Sequence, residues 1–283
     1  MGELRNSSTV ILLRDGLQGL EVFMMQRHIR SDFAGGAYVF PGGVVDPSDD
    51  VDAGFCSGRT DASASAALGV PRGGLAYWIA AIRECFEEAG ILLAYGPEGS
   101  LLDFDKPGVR ARYEAYRAAL NAREVTPDEI ARRENLRYAT DRVHYWAHWI
   151  TPEGQPLRYD TRFFLAIAPK GQIAAHDGRE MTDSAWVSPQ DALEKARTKE
   201  WAIIFPTLRN LTLICHFATA SQAEAAAKAP RKISTVLPRA ARDGHGVRLL
   251  VPGDEGYDQA RGGADPSEAS NFADPEIEVK RDD

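Results

Sequence analysis

Three glutamates within five positions are the residues of this sequence best suited to chemistry. Glu84, Glu87 and Glu88 have the i, i+3 and i+4 spacing that places side chains on one face of an α-helix. Like charges at this spacing repel each other by about 0.2–0.5 kcal/mol per pair. A bound hard cation such as Mg²⁺ or Mn²⁺, which prefers oxygen ligands, would offset that repulsion. The alternative is that the three side chains form a solvated acidic face on an amphipathic helix.

The residues around these glutamates predict the helix that carries them. Apolar residues at four-, three- and four-residue spacing form a stripe on the opposite side, typical of packing on a core: Trp78, Ile82, Cys85 and Ala89. We expect the helix to run from about residue 74 to residue 89, with Gly90 as its C-terminal stop. Arg83 lies four residues before Glu87 and can form an ion pair with it.

A glycine-rich turn lies upstream of this helix. A short apolar segment at 37–40, which predicts a strand, runs into Pro41-Gly42-Gly43. Glycine at a strand end permits positive φ and lets a ligand or metal approach the backbone closely. Alone this is an ordinary turn, so its importance depends on its combination with the acidic helix.

The turn and the helix together resemble the signature of the Nudix hydrolase family. That signature reads Gly, five residues, Glu, seven residues, then Arg-Glu-apolar-any-Glu-Glu-any-Gly-apolar, and residues 83–91 fill every specified position of its second half. The Glu expected eight residues before Arg83 is Leu75, which we expect to cost Arg83 an ion-pair partner rather than a metal ligand. We interpret the Ser-, Ala-, Asp- and Gly-rich segment at about 46–72 as a loop inserted in the motif, so that Gly43 rather than Gly69 is the motif glycine.

An interrupted motif of this kind resembles one branch of the family, the mammalian peroxisomal coenzyme A diphosphatases and their bacterial relatives. Further matching segments extend over most of the chain, at 40–44, 81–84, 86–90, 148–152, 158–165, 186–189 and 251–254. A basic motif of another coenzyme A-directed branch is matched at Arg27 and Gly36, but not at His28 and Asp32. The coenzyme A assignment therefore rests on resemblance to the branch.

The resemblance implies metal-assisted hydrolysis of a diphosphate, with Mg²⁺ or Mn²⁺ held by Glu84, Glu87 and Glu88 and by the Gly43 carbonyl. Arg83 would orient the cluster, and either Glu84 or Glu180, a glutamate six residues before Trp186, would accept a proton from water. With coenzyme A or an acyl derivative, the products would be adenosine 3′,5′-bisphosphate and (acyl) 4′-phosphopantetheine.

Two other functions stay open at this point. One is hydrolysis of another diphosphate, such as ADP-ribose, NADH, a nucleotide sugar or a capped RNA end. The other is a Nudix-fold binding module without catalysis, against which the complete set of carboxylates argues.

The remaining candidates depend on weaker patterns. Arg27, Arg158 and Arg162 are candidate phosphate ligands, because guanidinium groups bind phosphate bidentately, but the commoner role of any one such arginine is in a surface or core ion pair. Glu180 has the alternative of being a surface residue. Three histidines near aromatic residues are interpreted as structural: His144, His148 and His176.

The coarse pattern predicts an α+β fold, a mixed sheet sandwiched between helices (α/β/α), as in the Nudix fold. Strands are expected at about 8–14, 21–27, 37–40, 145–150, 163–168 and 185–187, and helices at 190–197 and 208–218. The charged segment 106–142, with a new helix start at Pro127, is interpreted as a helical insertion that covers or helps form the site, or else is a peripheral cap. We expect one hydrolase domain over residues 1–252 and an acidic, flexible tail over 253–283.

Composition limits the setting of the protein. A formal charge of −8 argues against a broad nucleic-acid-binding surface, and no apolar run reaches the ~20 residues of a membrane span. The three scattered cysteines fit a reducing compartment, and the C-terminal residues are not a peroxisomal address. We expect a cytoplasmic, bacterial enzyme that acts on a small-molecule diphosphate, and a homodimer is left open.

Overall fold

A mixed eight-stranded sheet lies at the centre of the computed structural model, which describes residues 3–31, 34–178, 180–244, 246–260, 264–266 and 269. The strands of the chain are β1 (Leu4–Gly16), β2 (Gly19–Arg27), β3 (Tyr38–Val39), β4 (Gly42–Val44), β5 (Ala94–Tyr95), β6 (Arg137–Tyr138), β7 (His144–Ile150), β8 (Arg158–Ile167), β9 (Met181–Val187), β10 (Thr235–Val236), β11 (Arg239–Asp243) and β12 (Gly246–Leu250). The main sheet has the order β10-β7-β8-β1-β2-β3, with β4 joined to β1 and β9 joined to β2. β1 pairs in parallel with β8 and antiparallel with β2, so the sheet is mixed.

Helices cover both faces of this sheet. They are α1 (Asp61–Leu68), α2 (Gly74–Ala89), α3 (Val109–Asn121), α4 (Pro127–Glu134), α5 (Pro189–Arg197), α6 (Phe205–Ile214) and α7 (Ala220–Lys228). Because side chains alternate along a strand, Val10 and Leu12 of β1 pack in the cluster that contains α2, whereas Ile11 and Leu13 pack in the cluster that contains α6 and α7. The predicted α/β/α arrangement is confirmed.

Helix α2 has the bounds that the sequence predicted. The stripe of Trp78, Ile82, Cys85 and Ala89 is completely buried, and the Trp78 indole N–H donates to the Val143 carbonyl at 2.8 Å. Gly90 ends the helix in the left-handed conformation, with φ 72°. The glutamate-bearing face is therefore held on a rigid element.

The segment at 46–72 is more ordered than the loop that the sequence predicted, because it contains α1. Thr60 and Ser63 form a reciprocal capping box at the start of that helix. Asp61 then accepts hydrogen bonds from the backbone N–H groups of Gly73 and Leu75 at 3.1 and 3.0 Å, which caps the start of α2. The inserted segment thus supports the glutamate-bearing helix.

The charged segment at 106–142 forms two helices rather than helix throughout. Thr126 caps α4 as predicted, with Pro127 in its first turn. The prediction of helix beyond residue 134 is wrong, because Asn135 adopts φ 49° and directs the chain into β6. These two helices and their connection pack beside α2.

The C-terminal part differs most from expectation. Helix α6 ends at Ile214, four residues before the predicted end, and the hairpin of β11 and β12 was not predicted. Residues at the start of the predicted tail contact this hairpin, since Arg239 Nη1 of β11 donates to the Tyr257 carbonyl at 3.0 Å. The proposed division at residue 252 stays a prediction, and 270–283 lie outside the described residues. Within the described chain, no helix has the length and apolar character that crossing a membrane requires.

Candidate active site

The Gly42-Gly43 turn meets the acidic face of α2 directly. The Gly42 N–H donates to Glu88 Oε2 at 2.8 Å. A Cβ atom at Gly43 would lie 2.3 Å from Glu84 Oε1, and one at Gly42 would lie 2.5 Å from the Ser8 carbonyl oxygen. Only glycine allows this close approach, so the structure brings Gly43 and the glutamates together as the sequence predicted.

Arg83 holds the acidic face together. Its Nη1 donates to Glu84 Oε1 at 2.8 Å and to Glu87 Oε2 at 2.7 Å. Its Nε and Nη2 donate to Asp49 Oδ1 and Oδ2 at 2.7 and 3.0 Å, which is a bidentate ion pair. Burial alone would lower the pKa of Arg83, but the hydrogen bond with Asp49 and the surrounding carboxylates raise it overall. Arg83 is therefore a permanent cation among these carboxylates.

Arg83 has the ion-pair partner that it was predicted to lack. The prediction followed from Leu75 at the position of the motif Glu, but Asp49 is the partner. The Asp49 side chain is completely buried and belongs to the short 3₁₀ turn Pro47–Asp49, where it also accepts from the Asp46 N–H at 2.7 Å. It stands six positions after Gly43, where the family signature places its first acid. The insertion therefore follows this acid rather than preceding it, and counting five residues from Gly43 would have found it.

Burial dominates the electrostatics of the three glutamates. It raises the pKa of Glu84 to about 7, against the opposing charge of Arg83. Burial and then the charge of Glu84 raise the pKa of Glu88 well above its ordinary value, although the Gly42 N–H and Arg27 oppose the shift. Burial also raises the pKa of Glu87. Such a cluster favours the arrival of additional positive charge at neutral pH.

The donor set fits a hard divalent cation. It consists of desolvated carboxylate oxygens beside a backbone that glycine keeps accessible, which is the ligand chemistry that Mg²⁺ and Mn²⁺ prefer. No group of three or more His, Cys, Asp or Glu side chains in the described part of the chain is arranged to enclose an ion. Arg83 holds Glu84 and Glu87, and the Gly42 N–H holds Glu88, so cation binding requires these carboxylates to turn.

A cleft of about 1060 Å³ opens in front of the carboxylates. Glu84, Glu87 and Glu88 line it, and an extended apolar wall includes Trp149, Ile150, Pro152, Pro156, Leu157 and Phe205. Leu249 of the β11–β12 hairpin also lines the cleft, together with Pro238 and Pro266, which lie outside the hairpin. The cleft thus combines a strongly acidic region with an apolar surface.

Glu180 and Arg27 reach the same cleft through the pairing of β2 with β9. Arg27 is opposite Met181 in this pairing, and the His28 N–H donates to the Glu180 carbonyl at 2.9 Å. The two charges act in opposite directions on Glu88, since Arg27 lowers its pKa and Glu180 raises it, both after the larger effect of burial. Among the described residues, the buried Nε of Arg27 has no hydrogen-bond partner. Arg27 and Glu180 therefore line the same cleft as the three glutamates of α2.

The structure does not bring Arg158 and Arg162 into the cleft. Arg162 is buried on the other face of β8, where it pairs with Asp160 and lies 5.4 Å from the centre of the Tyr77 ring. The Arg158 Nε donates to the Thr151 carbonyl at 3.2 Å. Alternation along β8 sends both side chains away from the cleft-facing residues, so the geometry does not support a phosphate-binding role for either.

The histidines also lie outside the cleft. His144 contacts Glu224 at 3.2 Å, and His148 lies between Asp160 at 2.6 Å and Thr235 at 2.8 Å. His176 contacts the Met181 carbonyl at 3.1 Å. These contacts agree with the structural roles expected for them.

The helical insertion contributes to the site in two ways. Arg117 of α3 donates to the backbone carbonyls of Glu87, Glu88 and Ala175 at 2.9, 2.8 and 3.0 Å. It therefore satisfies carbonyls at the end of α2 and links them to the segment that leads to Glu180. The end of α3 and its connection to α4 line the cleft with Asn121, Arg123, Val125 and Thr126. The insertion thus lies against the site rather than at the periphery, and nothing in the sequence marked Arg117.

Comparison with known proteins identifies the family. Residues 53–214, more than half of the chain, match the family model of the NUDT19 Nudix domain. The chain belongs to this family. This Nudix hydrolase is 28% identical over 275 residues to the acyl-coenzyme A diphosphatase NUDT19 of Gallus gallus, a match that covers 84% of this chain and 72% of the relative. It is 29% identical over 286 residues to the Homo sapiens protein of the same name, with 85% and 73% covered.

A solved structure supports the fold of this Nudix hydrolase. The crystal structure of a Nudix hydrolase from Alicyclobacillus acidocaldarius superposes with a TM-score of 0.61 at 26% identity and covers 80% of this chain and 97% of that chain. The mixed sheet between helices is therefore a Nudix fold. Nudix hydrolases generally use divalent metals, which agrees with the donor chemistry of Glu84, Glu87 and Glu88.

Proposed function

We propose that this Nudix hydrolase cleaves the diphosphate linkage of coenzyme A and acyl-coenzyme A, giving adenosine 3′,5′-bisphosphate and (acyl) 4′-phosphopantetheine. The observation that carries the proposal is the cleft of about 1060 Å³, which is lined both by the carboxylate cluster and by an apolar wall. A coenzyme A ester has the matching order of parts, because its diphosphate joins a nucleotide to a long pantetheine arm and an acyl chain. Two relatives named acyl-coenzyme A diphosphatase, each matched over more than four fifths of this chain, support the choice.

We assign cation binding to Glu84, Glu87 and Glu88, with the Gly43 carbonyl as a further ligand, and Mg²⁺ or Mn²⁺ as the cation. When bound, the cation neutralises diphosphate charge and activates water. Arg83 and Asp49 fix the positions of Glu84 and Glu87 through the ion pairs of the acidic face. We assign Arg27 to the binding of diphosphate oxygen, because it lines the cleft and its charge acts on Glu88.

Two carboxylates are placed to accept the proton of the attacking water. Glu84 has a pKa raised to about 7 by burial, which suits a base near neutral pH. Glu180 lies in the cleft and is exposed, so its carboxylate is free to approach the substrate. In either case water oxygen attacks phosphorus, the bridging P–O bond breaks, and the two products leave as phosphate monoesters.

The apolar wall is the reason for proposing that the enzyme prefers coenzyme A esters. Trp149, which contacts the Phe205 ring edge-on at 5.9 Å between centroids, Pro156 and Leu157 provide a surface for the pantetheine arm and acyl chain. Burying each methylene of an acyl chain on such a surface contributes about 0.8 kcal/mol. A nucleotide sugar would leave this wall uncovered.

A product-resolved substrate screen tests the proposal. The protein is incubated with Mg²⁺ or Mn²⁺ and, separately, coenzyme A, acyl-coenzyme A esters, ADP-ribose, NADH and a nucleotide sugar. We expect adenosine 3′,5′-bisphosphate from the coenzyme A compounds at a rate above that of the other diphosphates. A higher kcat/KM for ADP-ribose than for every coenzyme A compound would overturn the substrate assignment. Cation binding without turnover of any compound would favour a binding module.

A further inference from the structure

Two arginines line the cleft without forming an ion pair with the glutamates of α2. Arg5 lies on β1, and Arg123 lies in the connection between α3 and α4. Both are exposed, and among the described residues neither forms an ion pair or a side-chain hydrogen bond. By contrast, Arg83 in the same cleft is surrounded by carboxylates. Arg5 and Arg123 therefore remain available to a ligand.

The strand register gives the distance along β1 between Arg5 and the Gly42–Glu88 contact. Arg5, Ser7 and Thr9 alternate onto the cleft-facing side of β1. Thr9 is opposite Gly42, whose N–H donates to Glu88. Thr9 is therefore the residue of these three that lies nearest to Glu88. Arg5 is four residues further along the strand, which corresponds to about 13 Å between Cα atoms. Arg5 is therefore at a different point of the cleft from the Gly42–Glu88 contact.

Arg123 approaches the same distant end from the helical insertion. The Val45 N–H donates to the Asn6 carbonyl at 3.0 Å, which places Asp46 beside Arg5 in the strand pairing. Hydrogen bonding from Ser48 is the main cause of a lowered pKa at Asp46, and the charges of Arg83 and Arg123 add to it. The strand pairing thus places Arg5 beside Asp46, and the charge of Arg123 acts on the same carboxylate, which accepts the Ser48 N–H at 2.8 Å.

The backbone at Arg123 supports a role in binding. This residue has φ 57°, the left-handed region that a bulky side chain rarely adopts. Its N–H donates to the Leu120 carbonyl at 2.8 Å, and the following Glu124 N–H donates to the Ala119 carbonyl at 2.8 Å. These two hydrogen bonds hold the turn at the end of α3. Its left-handed position is occupied by Arg123, although glycine is favoured there.

We propose that Arg5 and Arg123 form a second phosphate subsite, which binds a phosphomonoester remote from the scissile diphosphate. The proposal rests on the proposed function and identifies the group as the ribose 3′-phosphate of coenzyme A. Guanidinium groups bind phosphate through charge-assisted, bidentate hydrogen bonds. ADP-ribose, NADH and nucleotide sugars have no phosphomonoester, so this subsite selects coenzyme A compounds among diphosphates.

The test compares coenzyme A with dephospho-coenzyme A, which differs only by the 3′-phosphate. For Arg5→Ala and Arg123→Ala we expect kcat/KM for coenzyme A to fall about tenfold each, while the value for dephospho-coenzyme A changes less than about twofold. Arg72→Ala is the matched control, because Arg72 is exposed and outside the cleft lining. Arg123→Gly, which keeps the positive φ without strain, should reproduce the Arg123→Ala result. Equal losses on both substrates, or no loss on either, would overturn the subsite.

A binding measurement separates this proposal from the proposed function. Calorimetry of the wild type should show tighter binding of adenosine 3′,5′-bisphosphate than of AMP, and the double variant should lose that difference. The loss would support the subsite even if coenzyme A were not hydrolysed, which would contradict the proposed function alone. Hydrolysis of coenzyme A without any difference between these two nucleotides in wild type would contradict the subsite alone.

Discussion

Asp49 and Arg83, which are 34 positions apart, form a bidentate ion pair with both Asp49 oxygens bonded, at 2.7 and 3.0 Å. The pair joins the end of β4 to α2, and the inserted segment with α1 occupies the chain between them. Through Arg83 it also reaches Glu84 and Glu87. The insertion therefore does not disrupt the ion pairs of the acidic face. Asp49, which pairs with Arg83, comes before the insertion in the chain.

Removing the charge of Asp49 should destabilise the fold and slow turnover. For Asp49→Asn we expect a loss of about 3 kcal/mol in the free energy of unfolding, because the substitution leaves Arg83 buried with fewer anions. We expect kcat to fall about 10- to 100-fold, as for other residues that orient a metal-binding group. Urea unfolding and steady-state kinetics measure both quantities. Asp50→Asn is the neighbouring control, and an unchanged free energy of unfolding for Asp49→Asn would contradict the role of the pair.

Replacing Glu88 with Gln should separate catalysis from folding. The amide of Glu88→Gln still accepts the Gly42 N–H but carries no charge, so we expect kcat to fall about 100-fold or more. The thermal midpoint without metal should be unchanged or higher, because burial disfavours the charged form of this residue. Glu87→Gln should also reduce kcat strongly, whereas Glu114→Gln on the exposed surface of α3 should not. Near-wild-type turnover in both Glu87→Gln and Glu88→Gln would refute the site.

Stabilisation by a divalent cation should increase with pH. The folded pKa of Glu84, about 7, lies above its ordinary value of 4.5, so the metal-free folded state retains a proton that the unfolded state loses. The corresponding stability is complete below pH ~4.5 and is lost as pH rises through ~7. A cation that replaces the proton should therefore raise the thermal midpoint more at pH 8 than at pH 6. Differential scanning fluorimetry with Mg²⁺ or Mn²⁺ measures this, and equal shifts at both pH values would count against carboxylate ligation.

Arg117 should support activity without contacting substrate. Arg117→Met keeps the length of the side chain but removes the donors to the carbonyls of Glu87, Glu88 and Ala175. We expect kcat to fall about tenfold and the cation concentration for half-maximal activity to rise, since the end of α2 is no longer held. Arg110→Met on the same helix is the control, because its only described ion pair is with Asp105 on the surface. Unchanged cation dependence in Arg117→Met would show that the carbonyl contacts do not position the glutamates.

The parts of the site that the sequence predicted are those specified by local pattern. Helix α2 follows from the spacing of Trp78, Ile82, Cys85 and Ala89, and its glutamates follow from a contiguous motif. Asp49 was missed because the insertion was taken to begin at about residue 46, which placed Asp49 inside it, although its spacing from Gly43 is that of the signature. The cleft wall from Pro238 and Leu249 depends on a hairpin that packs from a distant part of the chain.

The arginines illustrate a second reason for failure. Whether Arg158 and Arg162 face the cleft depends on the register of β8 against β1, which residue type alone does not determine. Arg117 acts through its contacts with backbone carbonyls of another helix, and these leave no trace in its own neighbours along the chain. Spacing therefore predicted residues within one element and those joined by a known motif, but not the side-chain directions of β8 or the contacts of Arg117 with α2.

A one-pot competition tests the central claim most directly. Equal concentrations of an acyl-coenzyme A, ADP-ribose and NADH are mixed with the protein and Mg²⁺ or Mn²⁺, and mass spectrometry follows the loss of each, so that relative rates give relative kcat/KM. We predict that the acyl-coenzyme A disappears first, with adenosine 3′,5′-bisphosphate and acyl 4′-phosphopantetheine formed in equal amounts, and that Glu88→Gln forms neither. Faster loss of ADP-ribose or NADH, or loss of the acyl-coenzyme A at another bond, would contradict the account.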